Sequence, residues 1–412
     1  MPKYDSPVKA VARLLTPVAA LVAALSFAPA AVAAPAATKL SLSGPSKAPG
    51  GTTTLTAKLT ANGQPLAGKS VSLFAAGQAS PLATGATDGA GRVAFEVTVT
   101  ARTQFQVAYA PAPADAGAYS PAKSKTLTVS PSSGTRLSIV SYLRARHRAV
   151  GVPRTKVRVR GAIAAFAPAV TVDVFRGTKR IHHRSIPVKR ASAGGTFAFY
   201  FRPGGRGVYR IRATDSGGST TKRLYVVRPH ASAGSRGTAV RALQSRLRQL
   251  GYLVPVSGRF DGSTSRALLA FRKVNGYART TSASSAVFKR LGRGGGGFHL
   301  RHPSAGKHVE FDWSRQVLVL ARGAKPVMIL HASSGKPSTP TVFGKYRFYS
   351  KTPGYNSHGM YYSNYFIGGY AIHGYDPVPT YAASHGCIRI PIPSATRVYR
   401  WIKLGDPIYV YR

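Results

Sequence analysis

Two long stretches of this chain alternate apolar and polar residues with a period of two, which commits most of its N-terminal half to β-sheet. Leu55, Ala57 and Leu59 share one face of a strand, followed by Val71, Leu73 and Ala75, then Val93, Phe95, Val97 and Val99, then Phe105, Val107 and Tyr109. Asn62-Gly63 and Asp88-Gly89 separate these runs as turns. Residues 38–131 therefore predict a β-sandwich. Residues 136–228 repeat the pattern through Val157 and Val159, Val170, Val172 and Val174, Phe197, Phe199 and Phe201, then Tyr209 and Ile211, and predict a second sandwich. Neither block gathers residues that suggest chemistry, and His182 and His183 read as solvated strand or loop residues. Spacing or adhesion is the role expected of both.

The period changes after the small, polar stretch PHASAGSR. Val240, Leu243, Leu247 and Leu250 fall on one face of a helix that Gly251 would end, and a second helix beginning near Gly262-Ser263-Thr264 carries Ala267, Leu268 and Phe271. A small all-α bundle is expected over residues 236–292, with Gly292 to Gly297 as a flexible linker behind it. Residues 306–412 return to strand in HVEFDW, QVLVLAR, PVMILHASSG and GKYRFYS. Ser394 would cap a short helix whose Ala395, Val398, Trp401 and Ile402 share a face; Gly405 would stop it, and PIYVYR would form a closing strand. The fold class is thus multidomain: two all-β sandwiches, an all-α bundle and a mainly β C-terminal domain.

The N-terminus reads as an export signal. Lys3, Lys9 and Arg13 precede an apolar run from Leu14 to Phe27, and Ala31-Val32-Ala33 supplies an A-x-A cleavage pattern, so residues 1–33 are set apart from the fold. Pro17 interrupts the run, which is shorter than the roughly 18 apolar residues of a membrane span. The expected product is secreted, acts at the cell envelope and keeps no integral membrane span. Net charge is +47, from 58 Lys and Arg against 11 Asp and Glu, spread along the chain. A polyanionic partner suits that balance. Export argues against nucleic acid and favours anionic polymers of the envelope.

The single cysteine, Cys387, lies in IHGYDPVPTYAASHGCIRI. Thiols of exported proteins usually pair, and this one has no intramolecular partner, so it is inert and buried, joined to another chain, or reactive. Neighbouring histidine and glycine favour reactivity, because the thiolate is the nucleophile and an imidazole can take its proton and return it to a leaving amine. His385 stands two residues before the cysteine, where an extended strand would put both side chains on one face. His373 stands fourteen before it, far enough for the chain to fold back, and is the favoured base. Gly386 would let a carbonyl approach backbone amides that form an oxyanion hole. A zinc site is the metal alternative, but the H-x-C spacing is unusual for one.

These motifs resemble known families. Both β blocks resemble bacterial immunoglobulin-like modules, the first more clearly through TDGAGRVAFEVTV and the later tyrosine. The LQ-x-x-L-x-x-LGY register and the FDGST loop within residues 236–292 resemble the small helical peptidoglycan-binding domain. His373-Gly374 followed by Ser384-His385-Gly386-Cys387-Ile388-Arg389 resembles the signature of the L,D-transpeptidase catalytic domain, over residues 306–412. HASSGKPSTPTVFGKYRF is similar to that family's S-x-G-x-x-x-x-T-P-x-G segment, with Val342 after Thr341 in place of the expected proline.

The resemblance implies peptidoglycan stem peptides and glycan as partners, no cofactor, and a 3→3 cross-link made through a thioester on Cys387. His373 would act as base and acid, His385, Gly386 and Ser384 would shape the site, and Arg389 would support it or meet a carboxylate. Tyr370, Tyr362 and Met360 would face the substrate. Among cysteine enzymes of cell surfaces, Cys-His endopeptidases place the cysteine first, and sortases run histidine then cysteine but carry a T-L-x-T pattern before the cysteine and an essential arginine several residues after it; neither fits SHGC. A non-catalytic wall-binding protein is the reading from a different class.

Overall fold

A computed structural model describes residues 13–14, 34–49, 51–164, 167–191, 194–215 and 218–412. The leader read at residues 1–33 lies outside them, apart from the pair Arg13–Leu14. The chain forms two compact units. One runs to Ser138 and takes in Val159–Phe199 and Arg210–Lys222; the other comprises Ile139–Arg158, Tyr200–Tyr209 and Arg223–Arg412. The stretch 136–228 is therefore shared between the units.

In the first unit the alternation is realised as two sheets around one core. Leu40, Leu55, Leu59, Val93 and Phe95 enter it from one sheet, and Val71, Leu73, Phe105, Val107 and Val129 from the other. Each such side chain, removed from water, contributes about 1.5–3 kcal/mol. Asn62 (φ +48°) and Gly63 (φ +82°) turn the strand Thr52–Ala61 into Gln64–Pro65, as a turn with two left-handed residues requires. Residues 136–228 are mostly strand. There His183 is tied down rather than simply solvated: its Nδ1 lies 2.8 Å from Oδ1 of buried Asp173, whose Oδ2 accepts from Arg212 at 2.9 Å.

The second unit holds the helices α1 (Thr238–Gln249), α2 (Gly262–Val274) and α3 (Ser285–Gly292). Val240, Leu243 and Leu247 are buried as the spacing requires, and Gly251 at φ +95° ends α1. Asp261 caps α2 by accepting from the Thr264 amide at 2.9 Å. The glycine run that follows α3 is pinned rather than free. Gly296 O accepts from Tyr252, Gly294 O accepts from Arg246, and a Cβ on Gly296 would sit 2.3 Å from the Phe271 ring.

The C-terminal domain has strands β1 (Lys307–Asp312), β2 (Val317–Arg322), β3 (Lys325–His331), β4 (Gly344–Arg347), β5 (Ser350–Tyr355), β6 (Tyr361–Ile367), β7 (Tyr370–Tyr375), β8 (Ile388–Pro391) and β9 (Pro407–Tyr411), with helix α4 (Ile392–Trp401) before β9. One sheet runs β3-β2-β1-β9-β4 and the other β5-β6-β7-β8. Phe311, Leu318 and Leu320 meet Phe366, Ile372 and Ile388 between the sheets, with Ala395, Val398 and Ile402 from the helical segment. On the back of the first sheet, Val317, Val319 and Ile329 share a core with Leu243, Leu247 and Phe271 of the helical bundle. Burial on both faces explains why Val317 to Ala321 is continuously apolar instead of alternating. Helix α4 starts earlier than Ser394 suggested. Its N-cap is Pro391 without a side-chain bond, and Ser394 lies buried inside the first turn.

Candidate active site

The site is built where β7 and β8 run parallel, with Ile372 opposite Ile388 and His373 opposite Arg389. That register brings the histidine fourteen residues upstream of Cys387 beside the strand that Cys387 leads into. The intervening loop, residues 376–387, returns through SHGC, which is not extended: His385, Gly386 and Cys387 form a bend, and the strand begins at Ile388. The same-face argument for His385 therefore fails. His385 is exposed, whereas Cys387 is partly buried.

Hydrogen bonds from the segment 333–341 cradle this bend. Ser334 O accepts from the amides of Ala383 and Ser384, both at 2.8 Å, and Ser384 O accepts from the Lys336 amide at 2.9 Å and the Thr339 hydroxyl at 3.1 Å. The Thr341 hydroxyl donates to Gly386 O at 2.5 Å and accepts from the Gly335 amide at 2.9 Å. Buried Ser384 closes the bend from within, its hydroxyl accepting from Gly386 N at 3.1 Å and donating to Cys387 O at 2.5 Å. The Gly386 amide is thereby occupied within the bend. Gly386 is required for another reason. Its φ is +118°, and a Cβ there would lie 2.1 Å from a Tyr370 ring carbon.

Cys387 is free; its Sγ lies 3.9 Å from Met360 Sδ and 3.6 Å from Gly369 O. Burial pushes its thiol above the ordinary value, while a hydrogen bond from the Ala371 amide and the charge of Arg389 act in the opposite direction. His373 is buried, and its Nδ1 lies 3.0 Å from Gly374 O. A carbonyl only accepts, so Nδ1 carries the hydrogen and Nε2 keeps its lone pair. Burial pulls its pKa down to about 4; the Gly374 carbonyl opposes this and the Arg389 charge adds to it. At neutral pH the pair is therefore a thiol and a neutral imidazole. The Arg389 guanidinium lies 3.9 Å over the Tyr375 ring, with Nη1 3.4 Å from Ala383 O.

Tyr370 and Met360 thus lie against the Gly386-Cys387 bend. Tyr362 does not join them among the contacts seen: its ring meets those of Tyr361 at 4.7 Å and Tyr399 of α4 at 5.0 Å. Ser333, Ser334 and Thr339 escaped individual notice in the sequence, although the HASSGKPSTP motif contains them. Among the described residues no three of His, Cys, Asp or Glu converge as metal ligands, and no helix is long and apolar enough to cross a membrane. A cavity of about 480 Å³ lined by Arg248, Arg266, Leu330 and Arg397 includes neither Cys387 nor His373, so the chemistry is located by contacts rather than by concavity.

Residues 306–410 match the YkuD family model, the L,D-transpeptidase catalytic domain, and residues 236–291 match a peptidoglycan binding domain model, PG_binding_1. Among solved structures the chain is similar to a fragment of an L,D-transpeptidase from Xylanimonas cellulosilytica DSM 15894, at 31% identity over 45% of this chain and 98% of that one, with a TM-score of 0.42. It is also similar to the catalytic domain of an E. faecium L,D-transpeptidase, at 26% identity over 26% of this chain and 98% of that one (TM-score 0.23). An L,D-transpeptidase from Mycobacterium tuberculosis H37Rv aligns at 13% identity over 64% of this chain and 94% of that one (TM-score 0.24). No curated protein matches the chain. The C-terminal domain belongs to the L,D-transpeptidase catalytic domain family, and a peptidoglycan-binding helical domain precedes it in the same chain.

Proposed function

We propose that the chain is a cysteine-dependent L,D-transpeptidase that forms 3→3 cross-links between peptidoglycan stem peptides. The observation that carries this reading is the parallel register of β7 and β8, which sets a neutral histidine with a free Nε2 beside the strand leaving Cys387. As Sγ bonds to the carbonyl between the third and fourth residues of a donor stem, Nε2 of His373 takes the thiol proton. Backbone amides beside Cys387 stabilise the oxyanion. When the carbon–nitrogen bond breaks, the imidazolium returns the proton to the leaving D-amino acid and a thioester remains. An amine of a second stem then attacks, His373 takes its proton, and Cys387 leaves as the thiol after receiving it. No cofactor enters these steps.

Ser384 and Gly386 shape the bend, Arg389 tunes both reacting groups, and Tyr370 and Met360 flank the thiol. We place the protein at the cell envelope, where its +47 charge suits anionic wall polymers. Binding to isolated walls that weakens steeply with added salt is the expected behaviour, and sedimentation at graded ionic strength measures it. Salt-independent binding would rule out the polyanionic partner. The activity is tested by giving the protein a disaccharide-tetrapeptide. It should release the terminal D-amino acid and form dimers, Cys387→Ala should do neither, and His373→Ala should lose about 10²–10⁴-fold in rate. Equal turnover by Cys387→Ala would overturn the nucleophile, and tripeptide without dimer would make water the acceptor.

A further inference from the structure

The helical domain reaches the active-site loop through a buried lysine. Lys273, at the end of α2, is 4% exposed, an uncommon place for its type unless paired. Its Nζ lies 3.1 Å from Gln316 O, 2.9 Å from Ala332 O and 2.8 Å from Nδ1 of His331. His331 is equally buried, and its Nε2 lies 3.0 Å from Val378 O. Because that carbonyl only accepts, Nε2 carries the hydrogen and Nδ1 accepts from the lysine. A donor chain thus runs from α2 through one imidazole to Val378, in the loop that leaves His373 and returns with Cys387.

Lys273 also acts on the cradle of the bend. Ala332 precedes Ser333, whose amide and carbonyl pair with Arg389 at 3.0 and 2.8 Å and whose hydroxyl donates to Tyr381 O at 2.6 Å. Gln316 holds Ser334 through its side chain, accepting from the amide at 2.8 Å and donating to the hydroxyl at 2.8 Å. Exposed Arg279, just beyond α2, donates separately to Thr380 O of the same loop and to Ser314 O at 3.3 Å. Burial, with the nearby Arg279 charge, pulls the Lys273 pKa down, and the three acceptors around Nζ, matching the three donors of an ammonium, oppose that pull and hold the charged form.

We propose that Lys273 is a positioning residue for the transpeptidase reaction, holding the 376–387 loop so that Cys387 is presented to His373, and that the helical domain is thereby a working part of the catalytic unit. This rests on the function proposed above, but its test has a readout that does not. Lys273→Met keeps the length of the side chain and removes its donors; Arg279→Gln loosens the same loop from the surface, where a folding defect is not expected. Both are to be measured in the full chain by thermal unfolding, wall sedimentation, kcat and KM for disaccharide-tetrapeptide, and the rate of Cys387 alkylation by iodoacetamide at pH 7.

Misplacement of a reacting atom by about 1 Å costs on the order of 10²-fold, so folded Lys273→Met should lose about tenfold or more in kcat with KM and wall binding unchanged. Arg279→Gln should lose less. Alkylation should become faster in both, because a loosened loop exposes a thiol that burial now holds protonated. Wild-type kcat and alkylation rates in folded variants would overturn the proposal. If Lys273→Met does not fold, Arg279→Gln decides by the same two rates. An inactive parent protein with altered alkylation in the variants would instead count against the assigned reaction and leave the positioning role supported.

Discussion

Arg389 sits at the centre of the site's electrostatics. Its positive charge favours the Cys387 thiolate and disfavours a charged His373, so it lowers both pKa values, against burial in the first case and together with it in the second. Removing the charge must therefore raise both. Arg389→Gln should move the midpoint of the alkylation–pH curve of Cys387 upward, and the acid limb of turnover, where His373 becomes protonated, upward as well. Iodoacetamide kinetics and a kcat/KM–pH series check the two shifts, read as apparent values of a coupled pair. Unmoved midpoints would mean that Arg389 acts by packing alone, and a downward shift of either would contradict the charge effect. The sequence signalled these three residues through their motif, but it did not reveal the tautomer of His373. That depends on a bond to Gly374 O, made by backbone geometry that carries no residue-type signature.

At the scale of elements, the bend 384–387 is specified by bonds and by a missing side chain. Gly386→Ala would force a left-handed alanine into the Tyr370 ring. It should destabilise the domain by about 1–3 kcal/mol and reduce turnover even where the protein remains folded. Chemical denaturation and dimer formation measure the two effects; unchanged values for both would contradict the assigned geometry. Strands were legible wherever one face meets the core, as with Leu55-Ala57-Leu59, because burial imposes the period. The start of α4 was not, because Ser394 resembles a cap while the helix starts behind Pro391. The bond from the Gly386 amide to the Ser384 hydroxyl was not legible for a similar reason: it is a local side-chain bond in an irregular segment.

At the scale of the molecule, the attachments of the helical domain were not legible in the sequence. The glycine run after α3 looks like a free linker in sequence, yet Tyr252 and Arg246 hold its carbonyls. The helical bundle shares one core with the back of the β3-β2-β1 side of the first sheet of the C-terminal domain. Only the unbroken apolar run Val317 to Ala321 hinted at that second buried face, and a short apolar run does not say what covers it. In the proposed reaction Cys387 carries the acyl group. Intact-mass measurement of the full chain after brief exposure to disaccharide-tetrapeptide tests it most directly. A tripeptide thioester adduct should map to the peptide containing Cys387 and be absent from Cys387→Ala; the same adduct on that variant would overturn the assignment, as would dimer formation by the wild type through no adduct at all.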